Sequence, residues 1–324
     1  MHTVADYGSM IADRVRMAAY VEALRRTVKP GSIVVDVGAG TGIFSLWACK
    51  LGAARVYAIE SNPAIHLLKD HAKRNGYADR ITIFHALSKD VELPERADVL
   101  VSDLRGASPL FGRHIETIID ARRRFLRDGG VQIPQRDDLL VALVESEDLR
   151  SHVLRGTLTS VEQPFDLSAA QSSVLDSDHT VPKAPHERTL LGGPSCWASV
   201  DYLAKDLSTD FRGDVDLEVS QTGTLHGLLL SFRAIVLSDP IIEPVGFDSS
   251  GDDSAYRPVF LPWPIPVDVV AGATVKVSIR AACSPLGYIL SWSSSVGRER
   301  FRQSNFHAFG PPRWGGSEPG GHMA

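Results

Sequence analysis

Val34-Val35-Asp36-Val37-Gly38-Ala39-Gly40-Thr41-Gly42 decides how the rest of the chain is read. An apolar strand passes into three glycines spaced two apart, and the helical stretch Ile43 to Lys50 follows. Glycine lacks a Cβ, so the backbone between strand and helix can turn sharply and approach a ligand closely. A cofactor-binding crossover is therefore expected here.

Downstream of this turn, strand and helix alternate. Ile33 to Val37, Arg55 to Glu60, Ile81 to His85 and Ala97 to Ser102 read as buried strands. Gly42 to Lys50, Asn62 to Asn75 and Phe111 to Phe125 read as helices, the last running into Gly129-Gly130. This rhythm predicts an α/β fold, a doubly wound parallel sheet over residues 30–135. Upstream, Ser9 to Leu24 places Met10, Ile11, Val15, Ala18, Ala19 and Leu24 at helical spacing, so residues 1–29 are expected to form a helical lid.

Beyond Pro134 the character changes and apolar, β-rich runs dominate. Leu139 to Val144, Val215 to Val219, Gly227 to Val236, Val269 to Ile279 and Tyr288 to Ser293 are separated by Gly, Pro, Ser and Asp clusters. That pattern predicts a mostly antiparallel barrel or sandwich over residues 136–310. A polar stretch at 163–194 is too long for a turn and reads as a protruding or mobile arm. The Gly- and Pro-rich tail, 311–324, is expected to be disordered.

Composition narrows the function classes. The 324 residues are 44% hydrophobic and 23% charged with a net charge of -5, which disfavours a nucleic-acid partner bound by bulk electrostatics. Cys49, Cys196 and Cys283 are dispersed and lack metal-type spacing, so no metal is expected and the thiols fit a reducing, cytoplasmic setting. The charged N-terminus, with Asp6, Asp13, Arg14 and Arg16, is unlike a signal peptide or a membrane anchor.

The glycine turn is G-x-G-x-G, without the G-x-x-G continuation typical of NAD sites. Glu60 ends the second strand, placed to accept from two vicinal ribose hydroxyls. Together they fit S-adenosylmethionine better than NAD.

Met10 to Arg16, Asp36 to Gly42, Ala53 to Glu60, Val91-Glu92-Leu93-Pro94 and His226-Gly227 together resemble the successive motifs of the class I methyltransferases, and more narrowly of the protein arginine methyltransferases. The resemblance implies a nucleotide-type domain followed by a β-barrel whose helical arm mediates a head-to-tail homodimer. It implies that Arg16 holds the cofactor's methionine carboxylate, a task suited to a bidentate donor fork. It further implies that Gly38 and Gly40, with Asp36, Thr41 and Ser61 beside them, line the cofactor, that Glu60 binds the ribose, and that Leu87, Ser88 and Lys89 edge the adenine.

Two departures bear on the acceptor. Family members carry a pair of glutamates after the fourth strand that clamps a guanidinium; here Asp103 takes the first position and Gly112 the second, with Arg105 between them. The family's Thr-His-Trp segment falls in Asp253 to Pro258, where Tyr256 is an aromatic wall and Arg257 a further positive charge. Arg105, Tyr256 and Arg257 are therefore expected to bind a small-molecule or peptide acceptor bearing an acidic group. Asp103 is the natural group to orient or deprotonate the acceptor, with His114 and Glu116 as further candidate bases. The expected function is O- or N-methylation of a non-arginine acceptor, with arginine methylation or an idle cofactor-binding scaffold as alternatives.

Overall fold

A computed structural model describes residues 2–157, 165–184, 186–244, 247 and 254–308. Its N-terminal half runs α1 (Val4–Ala12), α2 (Arg14–Thr27), β1 (Ile33–Val37), α3 (Ile43–Lys50), β2 (Arg55–Glu60), α4 (His66–Arg74), β3 (Ile81–His85), β4 (Ala97–Ser102), α5 (His114–Phe125) and β5 (Leu126–Ile133). The strands pair in parallel in the order β3-β2-β1-β4-β5. Val34 and Val35 are 0% exposed, because β1 is covered on both faces; that is why it reads as a continuous apolar run. Strand order reverses beside β1, so the carboxyl ends of β1 and β4 open the crevice in which ligands of such sheets bind.

The expected single N-terminal helix is broken at Asp13. This residue has extended backbone, and its carboxylate accepts from the Arg16 amide at 2.9 Å, capping α2. An aspartate offering its own oxygen to the next turn competes with helix continuation. Arg14–Thr27 buries Tyr20, Ala23 and Leu24 against α3, with the Tyr20 ring stacked on Phe44 at 4.7 Å. By contrast, α1 buries no residue and lies over the crevice. The helix read as Phe111 to Phe125 ends at Phe125 but begins only at His114, and Gly129 and Gly130 belong to β5.

The second half contains β6 (Arg136–Glu145), α6 (Glu147–Leu154), α7 (Gln171–Leu175), β7 (His179–Thr180), β8 (Thr189–Asp201), β9 (Phe211–Glu218), β10 (Gly223–Ile235), β11 (Ile241–Ile242), β12 (Val259–Val269), β13 (Thr274–Ser284), β14 (Gly287–Val296) and β15 (Glu299–Ser304). They form two antiparallel sheets, β7-β12-β10-β6-β8 with β11 beside β10, and β15-β14-β13-β9. The run expected from Val269 to Ile279 is split by a turn at Gly272, where φ is +86°.

The polar stretch at 163–194 differs from a free arm over much of its described length. Thr180 pairs with Val259, the Gln303 side-chain amide donates to the Leu175 carbonyl at 2.7 Å, and β8 already begins at Thr189. The expected tail at 311–324 lies outside the described residues.

Candidate active site

At the carboxyl ends of β1 and β2, a cavity of about 380 Å³ is enclosed by the glycine turn, Glu60, Arg16 and the α1 side chains Tyr7, Met10 and Ile11. A second cavity of about 540 Å³ adjoins it, shares Gly38, Glu60, Ser61 and Leu104, and continues along Ala86 to Lys89 towards Glu116. The turn has no room for side chains: a Cβ on Gly38 would lie 2.2 Å from Leu104 Cδ2, and one on Gly40 would lie 2.6 Å from Tyr7 Cε1. Both glycines have positive φ, +79° and +55°, which L side chains rarely adopt.

Glu60 is held by the turn it faces. Its Oε2 accepts from the Gly40 amide at 3.0 Å and its Oε1 from the Asn62 amide at 2.8 Å. Each carboxylate oxygen retains a lone pair, which suits a vicinal diol. Above it, burial pushes the Tyr7 hydroxyl up to about 12, so Tyr7 stays a neutral donor.

Arg16 closes the other end of the first cavity. Its Nε donates to Asp103 Oδ2 at 2.6 Å and its Nη1 to the Met10 carbonyl at 3.1 Å. A carboxylate end and a guanidinium end separated by a nucleoside-sized space fit the zwitterionic S-adenosylmethionine. Glu60 would hold the ribose, and Arg16 would hold the methionine carboxylate.

Most residues expected to bind cofactor are gathered here: Arg16, Gly38, Gly40, Thr41, Glu60 and Ser61 line the first cavity, Leu87 and Ser88 the second. Asp36 departs from expectation. It is 1% exposed and lines neither cavity; its Oδ2 accepts from the Ser45 hydroxyl at 2.7 Å, tying β1 to α3, and its Oδ1 has no hydrogen-bond partner among the described residues. Burial pushes its carboxyl up to about 7, against the Ser45 hydrogen bonds.

That shift has a pH consequence. A carboxyl raised from 3.8 to about 7 on folding binds its proton more tightly in the native state, so its stabilising contribution is complete below 3.8 and lost as pH rises through about 7. Asp36→Asn removes this dependence. Relative to wild type, the variant should gain on the order of a few kcal/mol between about pH 5 and about pH 8, read by urea denaturation at both values. A pH-independent gap would show that Asp36 titrates as it does in the unfolded chain.

At the head of the cavity the expected chemistry changes. Asp103, whose side chain is 4% exposed, accepts from Arg16 and from the Tyr256 hydroxyl (2.7 Å) on Oδ2, and from Arg105 Nη1 (2.9 Å) on Oδ1. Burial pushes its carboxyl up, but the two guanidiniums and the Tyr256 hydrogen bond outweigh that and hold it below the usual range. A carboxylate so engaged is a poor proton acceptor.

Arg105 is also corrected as an acceptor-binding group. Its side chain is 0% exposed; Nε and Nη2 make a bidentate pair with Asp137, both at 2.8 Å, and Nη1 also reaches the Tyr20 hydroxyl at 2.7 Å. The charge expected to meet an acidic substrate is neutralised inside the fold.

Tyr256, expected as an aromatic wall, is 4% exposed; its ring packs edge-on against Phe232, and it lines neither cavity. Arg257 is half-buried beyond it and also lines neither, with its amide donating to the Ala107 carbonyl.

His114 fails as a base on geometry. It is 4% exposed, its Nε2 pairs with the Tyr202 hydroxyl at 2.8 Å, and burial followed by the Arg105 charge pushes it down to about 3. Glu116 lines the second cavity, where Arg113 pairs with it, and does not line the first with Asp103.

Sequence reasoning missed Tyr20, Asp137 and Tyr202, which complete the network around Arg105; Tyr202 donates to Asp137 at 2.6 Å. Tyr20 carried a signal. Asp13, Arg16 and Tyr20 stand three and four residues apart and share one helix face.

The parallel sheet, the glycine turn and the carboxylate at the end of β2 define a nucleoside-binding domain of the class I methyltransferase type. Residues 17–133 match the family model of ribosomal protein L11 methyltransferase (PrmA). Human protein arginine N-methyltransferase 2 is 30% identical over 305 residues, covering 88% of this chain and 69% of the relative. A probable protein arginine N-methyltransferase 6 of Arabidopsis thaliana is 36% identical over 156 residues, 47% of this chain but only 36% of the relative's own length. In fold, the chain is similar to the Trypanosoma brucei PRMT1 enzyme-prozyme heterotetrameric complex with AdoHcy. The TM-score is 0.82 at 20% identity, over 92% of this chain and 96% of that one. The chain belongs to the protein arginine N-methyltransferase family, within the S-adenosylmethionine-dependent class I methyltransferases.

Proposed function

We propose that this protein transfers a methyl group from S-adenosylmethionine to a nitrogen or oxygen of an acceptor other than peptidyl arginine. One observation carries the reading: Asp103, at the head of the cofactor cavity, has both oxygens engaged by Arg16, Arg105 and Tyr256. A guanidinium acceptor needs free carboxylate to neutralise and orient it. Gly112 supplies none at the second position.

The cofactor supplies an electrophilic sulfonium methyl. In this reading Arg16 anchors the cofactor's carboxylate, Glu60 its ribose, and Leu87, Ser88 and Lys89 border its base. α1 excludes water from above through Tyr7, Met10 and Ile11. Asp103 positions Arg16. The acceptor brings its own lone pair, since among the described residues no group at the head is poised to take a proton first.

A second reading, a cofactor-binding subunit that performs no transfer itself, is favoured by the saturated Asp103 and by His114 being buried against the Tyr202 hydroxyl. A cytoplasmic homodimer belongs with either reading. Support for assembly as such, though not for identical subunits, is that a neighbour in fold is a heterotetrameric complex.

Radiolabelled S-adenosylmethionine tests the reading, offered with arginine-rich peptides and separately with the small-molecule fraction of a cell extract. Label in the small-molecule fraction and none in the peptides is expected. Efficient peptide labelling would restore arginine as the acceptor, and label in neither would favour the idle subunit.

A further inference from the structure

Arg105 is held as a ligand is held. Asp137 grips Nε and Nη2 at 2.8 Å, while Asp103 and the hydroxyls of Tyr20 and Tyr256 surround Nη1 at 2.9, 2.7 and 3.3 Å. The rings of Phe232 and Tyr256 have centroids 5.5 and 5.7 Å from its central carbon. Two carboxylates, hydroxyl acceptors and aromatic faces are the chemistry that recognises a planar cation.

The walls of this cage come from α2, the ends of β4 and β6, β10, and the segment before β12. Its occupant enters from the loop after β4, and that loop, from Asp103 to Arg105, also borders the 380 Å³ cavity. The cage and the cofactor cavity therefore share a wall.

We propose that the Asp103–Asp137 cage is a guanidinium-binding site that the chain fills with its own Arg105, and that shortening residue 105 opens it to an external alkylguanidinium reaching in from the cofactor cavity. The competing structural role is a closed interdomain ion pair. Removing the side chain would then leave a void that takes the bare guanidinium ion, with no passage for a chain attached to it.

The test is binding and does not depend on methyl transfer. Arg105→Gly is titrated by calorimetry and thermal melting with n-butylguanidinium, guanidinium ion and neutral n-butylurea at millimolar concentration. The variant should melt below wild type, recover with butylguanidinium but not with butylurea, and bind butylguanidinium at least about tenfold more tightly than wild type does. Arg105→Gly/Asp137→Asn should lose most of that binding. Recovery with the bare ion alone would establish the closed ion pair and overturn the proposal. If Arg105→Gly does not fold alone, refolding that depends on butylguanidinium supports the site. Failure to refold with it, in Arg105→Ala as well, counts against the site.

Discussion

Asp137→Ala should lower the unfolding free energy by about 3–5 kcal/mol, the loss expected when one partner of a buried ion pair is removed and the other charge stays behind. Arg105 cannot escape to water, because its side chain is 0% exposed and packed under Tyr20, Phe232 and Tyr256. Only Asp103 would remain to neutralise it, and Asp103 already serves Arg16. The Tyr202 hydroxyl would lose its acceptor as well. Urea denaturation reads the effect, and Asp137→Asn should fall between the two because the amide keeps one acceptor oxygen. A loss below about 1 kcal/mol for the alanine variant, the level of a surface pair, would mean that Arg105 finds another partner and that the network does not fasten the two halves together.

Glu60→Ala should weaken S-adenosylhomocysteine binding by roughly 100-fold or more, since two charge-assisted hydrogen bonds to a diol are each worth about 1.5–3 kcal/mol. The fold should change little, because Glu60 is half-buried and its partners are the amides of Gly40 and Asn62, which water can serve instead. Calorimetry on both proteins measures the ratio. A change under about threefold would show that the ribose lies elsewhere.

The sequence made the parallel sheet legible because β1, β2, β3 and β4 are short runs bounded by clear turns, and the bounds read for all of them are those found. Burial on both faces turns β1, β2 and β4 into continuous apolar stretches that no amphipathic helix would show. β5 was missed because Asp128, Gly129 and Gly130 interrupt it. β12 was missed because Pro262, Pro264 and Pro266 stand at alternate positions, which argues against a strand. The structure accommodates them because β7 pairs only with Val259 and Phe260, and the pairing with β10 is itself irregular between Pro262 and Val267, where Pro264 and Pro266 stand. β15 offers Glu299, Arg300 and Arg302 to solvent and carries too little apolar signal to read.

The site divides on the same principle. Gly38, Gly40 and Glu60 were legible because the turn and the strand end beside it are local features. Arg105 was misread because what decides its role is Asp137, 32 residues away, and Tyr20, 85 residues away. A charge on a loop looks available until the fold supplies its partner. Asp36 illustrates the converse: standing within the cofactor motif, it serves Ser45 beneath the turn and does not reach the cavity.

Amide hydrogen exchange with and without S-adenosylhomocysteine tests the central claim most directly, namely that the cofactor binds between α1 and the glycine turn. α1 buries no residue of its own yet covers the cavity with Tyr7, Met10 and Ile11, so its protection should depend on what lies beneath it. Saturating ligand should slow exchange across residues 4–12 and in the segment 38–42, with little change in β13 to β15. Binding that leaves both segments unchanged while protecting residues elsewhere would contradict the account.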